Sequence, residues 1–486
     1  MPPRLLAIAV CLASPIGLAQ SAQQPPPAQQ PRPQQAPPPN PYPTPIEANE
    51  GVIALGFTEF AALPDAIVNG NPVAPRMMML ADEPSTKRLF VSTMTGMLYS
   101  VSYDGKTVTP YLDLNAAEWA HPVQAQGSER GFQSFAFHPD FNRSGRPGFG
   151  RFYTYFDTTN TAPKADFVSP GPNRTHDTVL LEWTARNPAA ATYDGAAPRE
   201  LFRAAHPFGN HNGGQIAFNP LAKPGEADFG LLYVGFADGG SGGDPFNLAQ
   251  DMTSAFGKIL RIDPLGKNGA NGRYGIPASN PFVKQSGALA EIYALGVRNP
   301  QRFSWDSKTG RMYVADIGQN VVEEVSPVTA GANLGWNKWE ASFAFAGRSI
   351  DTSNPRGDKT MTWPVAEYDH TDPLLQNQVA VTGVYVYRHS TIKPLTNLLI
   401  FGDNPSGEIF YVPADAAPNP GQASIRRILL DDNGARKTLL QVVQEKNTAQ
   451  GRTPARRADL RFGVSADGQI FLLNKRDGII RRLTAR

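Results

Sequence analysis

The stretch LFVSTMTGMLYSV, Leu89–Val101, reads as a strand, a tight turn and a second strand. Apolar and β-branched residues suit a pleated, half-buried surface, and Gly96 supplies the reversal. The unit returns at Leu232–Ile262 (LYVGFADGG, then GKILRI after an insertion), Met312–Val325, Leu399–Val412 and Ile470–Leu483. A divergent copy runs from Phe135 to Trp183 through FAFHP, RFYTYF and TVLLEW. A lone hairpin cannot cover its own faces, so six such units over about four hundred residues predict radial repetition. The expected fold is all-β, a six-bladed β-propeller of four-stranded antiparallel blades occupying residues 49–486. A sandwich is usually shorter, and the helical periodicity of an α/β fold is missing.

Composition agrees with a turn-rich chain: 45 Gly and 45 Pro in 486 residues, with 18% charged. The net charge of +2 gives no electrostatic reason to expect nucleic acid or an anionic membrane as partner. Arg4 precedes the apolar run Leu5–Ala13, followed by small residues at Gly17, Ala19, Ser21 and Ala22, the pattern of an export signal over residues 1–22. The mature protein is therefore expected in the periplasm or secreted. Cys11, the single cysteine, falls inside that signal and would leave with it; the residues before it match a lipobox poorly. Residues 23–48, rich in Pro and Gln, read as a disordered linker, and no later stretch is apolar enough to span a bilayer.

The candidate chemistry starts at FGNHNGGQIAFNP, Phe208–Pro220. His211 stands before Gly213 and Gly214, in a polar loop that runs into the strand-like Ile216–Phe218. An imidazole at such a rim can accept a proton near neutral pH, and the glycines let a flat partner approach. The structural alternative is a turn histidine held by hydrogen bonds. Asp238–Asp244, DGGSGGD, reads either as a cation-binding or nest-forming turn or as a flexible loop. Trp305, Trp336 and Trp339 read as packing aromatics, and Glu323 and Glu324 as strand-end carboxylates. The long insertions Tyr103–Arg130, Thr158–His176 and Gly266–Gly287 are expected around the channel mouth.

Several strings together resemble the soluble pyrroloquinoline quinone-dependent sugar dehydrogenases, the glucose/sorbosone dehydrogenase-like family. They are GFQSFAFHPDF (Gly131–Phe141), HNGGQIAFNP (His211–Pro220), FADGG with FGKILRIDP (Phe236–Pro264), EIYALGVRNPQRFSWD (Glu291–Asp306), DIGQNVVEEV (Asp316–Val325) and GANLGWNKWE (Gly331–Glu340). The resemblance implies that His211 is the base removing the hydroxyl proton at C1 of a sugar while hydride passes to the quinone. It implies that Arg298 and Asn299 lie beside the quinone carbonyls, that Glu129 lies near the cofactor, and that the Gly318–Gln319 turn holds calcium through its backbone carbonyls. Where other members place cations on the cofactor carboxylates, this chain has DNPSGEIF (Asp403–Phe410) and RRADLRFGVSADG (Arg456–Gly468), with Ala458 and Leu460 at the arginine positions. Arg457 or Arg461 is left to substitute. Gln215 stands where an arginine is usual, and Asn210 where an aspartate is. The implied activity is oxidation of an aldose or related sugar with pyrroloquinoline quinone and calcium; the sugar and the electron acceptor stay unnamed. Two other classes are compatible: a propeller that only binds protein or glycan, and a lactonase-type hydrolase with calcium on channel side chains.

Overall fold

The computed structural model describes residues 40–486 apart from 69, 163, 172, 376–377 and 416–419. The signal expected at 1–22 and most of the linker lie outside these residues. The fold is all-β and propeller-like: largely antiparallel sheets, three of the seven among the described residues four-stranded, follow one another along the chain. The first sheet holds Met77–Glu83, Arg88–Thr93, Met97–Ser102 and Val108–Asp113. The hairpin read at Leu89–Val101 is its second and third strands, paired Leu89 to Val101 and Val91 to Tyr99. The recurrences at 232–262, 312–325, 399–412 and 470–483 are likewise neighbouring antiparallel strands.

What joins the sheets is a relay between their first strands. Ser134 Oγ lies 3.2 Å from Met79 Sδ, and Ile216 N–H donates to Ser134 Oγ at 3.0 Å. Phe303 N–H donates to Gln215 Oε1 at 3.1 Å, and Ser304 Oγ to the Val384 carbonyl at 2.5 Å. Arg461 Nη1 donates to Thr382 Oγ1 at 3.3 Å, and a Cβ on Gly463 would meet Leu80 Cδ2 at 2.6 Å, returning to the first sheet. Arg302, on the strand Pro300–Trp305, donates to the carbonyls of Met78 and Gln133, so its guanidinium ties that strand to two others. Burial pushes this arginine down to about 10.

Closure uses the N-terminal strand. Ile53–Ala62 pairs antiparallel with Ile479–Thr484, and its first residues pair in parallel with Ile428–Leu430. The second sheet gains a fifth strand, Phe167–Val168, parallel to Ala204–Ala205. The expectation of uniformly four-stranded antiparallel sheets is corrected at these two places. The linker expected to reach residue 48 ends earlier. Ile46 is buried with its N–H on Asp372, Tyr42 packs on Phe343, and the Ala48 carbonyl accepts from Arg427. A helix, Leu439–Ala449, begins with a reciprocal Thr438/Gln441 capping box and packs Leu439, Leu440 and Val443 into one core with Ala458 and Leu460. Two of the long insertions meet each other: Arg273 pairs with Asp166, and residues of both line a cavity of about 460 Å³ with Leu289 and Glu291.

Candidate functional site

His211 sits at the loop before Ile216–Phe218, with a positive φ of 55°. That conformation is uncommon for a residue with a side chain and is held here by flanking contacts. Its backbone N–H donates to Glu129 Oε2 at 2.8 Å. Its Nδ1 donates to Asp238 Oδ1 at 2.6 Å, and its Nε2 accepts from Arg298 Nη2 at 2.8 Å. This pattern fixes a neutral ring with its lone pair on Nε2. Gly214 allows the loop to approach the next sheet: a Cβ there would lie 1.9 Å from the Pro300 carbonyl. The close partner of the Gly-Gly pair is thus backbone, in place of the flat ligand expected.

Asp238 is the residue whose role sequence reasoning missed. Its Oδ1 also takes the Gly240 N–H at 2.9 Å, and its Oδ2 takes Trp336 Nε1–H at 2.8 Å. Asp244 caps the N–H groups of Leu248 and Ala249. Both carboxylates of the Asp238–Asp244 loop hold hydrogen bonds within the fold, and neither belongs to the cluster of candidate metal ligands found among the described residues. Trp336, expected only to pack, lies 5.6 Å beneath the Arg298 guanidinium.

Arg298 is anchored on three sides. Its N–H and that of Asn299 bond the two oxygens of Asp316, its Nη1 bonds the Ile317 carbonyl at 2.9 Å, and its Nε bonds Gln319 Oε1 at 3.2 Å. Burial pushes Asp316 up to about 7 against those two N–H groups. The turn after Gly318 wraps Glu340: the N–H groups of Gln319, Asn320, Val321 and Val322 all reach Glu340 Oε1 at 2.9–3.1 Å. Glu129, His211, Arg298 and the Gly318–Gln319 turn thus form one connected cluster.

Arg457 and Arg461 do not touch that cluster. Arg457 bonds Asp459 and Asn404; Arg461 is buried, pushed down to about 9 by burial and by the neighbouring Arg302 charge. Glu129 is within electrostatic reach of Arg461. Ala458 and Leu460 are fully buried in the apolar core beside the helix, so no guanidinium fits there. Two cations absent from the sequence reading join the group. Lys475 donates to the Ser128 carbonyl at 2.7 Å and Arg76 to the Gly127 carbonyl, on the segment that carries Glu129. Burial, with Arg461 next, pushes Lys475 well down. Asp459 balances Arg457 and Arg476, which leaves an excess of positive charge. Asn299 Oδ1 and Arg461 Nε are buried without a hydrogen-bond partner. The unpaired Arg461 donor and the surplus cations fit a bound acidic molecule.

Behind His211, Asp157, His176 and His206 bring one donor atom each within 4.8 Å of one another. Thr178 Oγ1 sits among them, 2.6 Å from Asp157 Oδ1 and 2.9 Å from His206 Nε2. The two rings stack at 21°, and the donor atoms of all three residues already hold hydrogen bonds. The cluster is a hydrogen-bonded brace: Asp157 Oδ2 accepts from Gly131 N–H and Gln133 Nε2, and His176 Nε2 from Asn212 Nδ2. Burial, reinforced by His176, pushes His206 down to about 3. An unfolded histidine protonates near 6.5, so between about 3 and 6.5 the unfolded chain binds more protons and acidification destabilises the fold. His206 alone should contribute roughly 1.4 kcal/mol per pH unit in that window. The stability gap between wild type and His206→Gln, measured by denaturant unfolding, should shrink from about pH 7 to about pH 5; a gap independent of pH would show an unshifted His206, and one that grows on acidification a charged one.

The fold and this site define a β-propeller-like protein with a carboxylate-oriented histidine beside a fixed guanidinium. The chain belongs to the Glucose / Sorbosone dehydrogenase family, which it matches over residues 74–474. It is 31% identical over 353 residues to HIPL2 protein of Arabidopsis thaliana, covering 64% of this chain and 48% of that one. It is 29% identical over 227 residues to human Hedgehog-interacting protein, covering 46% of this chain and 29% of that one. The chain spans about half the length, or less, of these curated relatives. Its fold matches the PQQ-bound aldose sugar dehydrogenase of Streptomyces coelicolor with a TM-score of 0.55 at 19% identity, covering 88% of this chain and 98% of that one. Among the described residues no helix is long and apolar enough to cross a membrane.

Proposed function

We propose that this chain is an exported sugar dehydrogenase on a six-bladed propeller, oxidising an aldose or related sugar at C1 with pyrroloquinoline quinone and calcium. Residues 1–22 would direct export and the Pro/Gln-rich segment would tether the domain. The observation that carries the reading is His211, held by Asp238 through Nδ1 with its Nε2 lone pair engaged by Arg298. The quinone, when bound, supplies a two-electron acceptor for the C1 hydride. His211 Nε2 takes the C1 hydroxyl proton, so a hemiacetal loses one proton and one hydride and leaves as the lactone. For this the Arg298 guanidinium yields Nε2 to the sugar and turns to the oxygens on which charge develops. Asn299 Oδ1, an unpaired acceptor, would take a hydrogen bond from a donor such as a sugar hydroxyl. Arg457, Arg461, Lys475 and Arg76 would hold cofactor carboxylates, each charged hydrogen bond worth about 1.5–3 kcal/mol. Gly318 and Gln319 would offer backbone carbonyls to calcium, a hard cation that takes oxygen ligands.

Binding without catalysis is the second reading, favoured by the likeness to HIPL2 and Hedgehog-interacting proteins. One titration separates the two. Purified chain with calcium should take up the quinone and then reduce an artificial dye when given an aldose. Failure to take up the quinone at any calcium level sinks the dehydrogenase and leaves the binding propeller.

A further inference from the structure

Glu340 is 2% exposed, and one of its oxygens receives four backbone N–H groups in succession. Four donors aimed at one carboxylate oxygen form an anion-holding nest, which offsets the charge of a buried acid. Oε2 has no hydrogen-bond partner, so Oε1 does the holding. The consequence lies on the other side of the turn. In a planar trans peptide the carbonyl points opposite to the N–H. The N–H of Gln319 shares its peptide with the Gly318 carbonyl, and that of Asn320 with the Gln319 carbonyl. With both N–H groups drawn to Glu340, both carbonyls face away from it. The Ile317 carbonyl just before them already meets Arg298 Nη1 at 2.9 Å, and the Gln319 side chain meets Arg298 Nε.

We infer that Glu340 is a positioning residue: by gathering the turn's N–H groups on one oxygen, it presents the carbonyls of Gly318 and Gln319 as a preformed pair of ligands for a divalent cation. The inference rests on the dehydrogenase reading, since that reading supplies the cation. Nothing in the string GANLGWNKWE gave Glu340 a separate role, because its partners lie about twenty residues upstream.

The test uses the full chain, chelator-buffered calcium and pyrroloquinoline quinone, with bound quinone read by absorbance after gel filtration. Glu340→Ala should raise the calcium concentration needed for half-maximal uptake by about 10–100-fold, the usual cost of removing an outer-shell partner. Glu340→Gln keeps an amide oxygen that accepts the same N–H groups and should stay near wild type. That rescue separates positioning from charge. Should Glu340→Ala fail to fold by circular dichroism, Glu340→Asp, which withdraws the oxygen by one methylene, should show the same rise. A variant that folds, melts lower and keeps the wild-type calcium midpoint overturns the inference while leaving the dehydrogenase standing. A wild type that takes up no quinone at any calcium level removes the reading itself, and the inference with it.

Discussion

His211→Gln should lower dye-linked oxidation of an aldose by about 10²–10⁴, the usual contribution of a positioned general base. Glutamine fills much the same volume but carries no nitrogen basic enough to take a hydroxyl proton. The loss should fall on the catalytic constant, because the groups proposed to hold the cofactor, Arg457, Arg461, Lys475 and Arg76, are untouched. Quinone uptake should therefore stay close to wild type. His211→Ala is the harsher version. It removes the acceptor of Arg298 Nη2 and the donor to Asp238, and so leaves a buried carboxylate short of one partner. A glutamine variant retaining more than about a tenth of the wild-type rate would place the base elsewhere.

The repeat was legible because the second and third strands of each sheet are short apolar runs separated by a turn, as at Leu89–Val101 and Leu399–Val412. The first strands were harder to read. Pro300–Trp305 and Arg461–Val464 carry Arg302 and Arg461, buried cations whose partners are carbonyls and hydroxyls of other sheets. A buried arginine in a strand breaks the apolar pattern, and only the closed ring explains it. Arg298 and Glu129 were reached through resemblance; His211 was a candidate base from its loop alone, with a hydrogen-bonded turn histidine as the alternative, and resemblance decided between them. Asp238 and Glu340 were out of reach for a different reason: each acts through atoms supplied by other loops. Asp238 looked like part of a flexible Gly-rich loop until Trp336, 98 residues downstream, was found donating to it. Lys475 and Arg76 sit far apart in sequence and meet only on the segment before Arg130. The helix at Leu439–Ala449 had a readable start in Thr438-x-x-Gln441, but its eleven residues stood alone in a β pattern.

Asp238→Asn should lower the same rate by about 10³, within the range a misplaced tautomer costs a histidine–carboxylate pair. The carboxylate accepts from three donors: His211 Nδ1, the Gly240 N–H and Trp336 Nε1. An amide offers one oxygen for these, and its NH₂ must face at least one of them. If the oxygen stays with Trp336, the NH₂ meets His211 Nδ1, which must then become the acceptor. The ring proton moves to Nε2, where it blocks the lone pair needed by the sugar hydroxyl and opposes the Arg298 donor. The expected signature is a fall in the catalytic constant with little change in the Michaelis constant, and no recovery as pH is raised, because a tautomer is not a protonation state. Quinone uptake should again persist. A merely structural Asp238 would give a lower melting temperature and a rate near wild type, and that result would leave His211 without its orienting partner in the proposed chemistry.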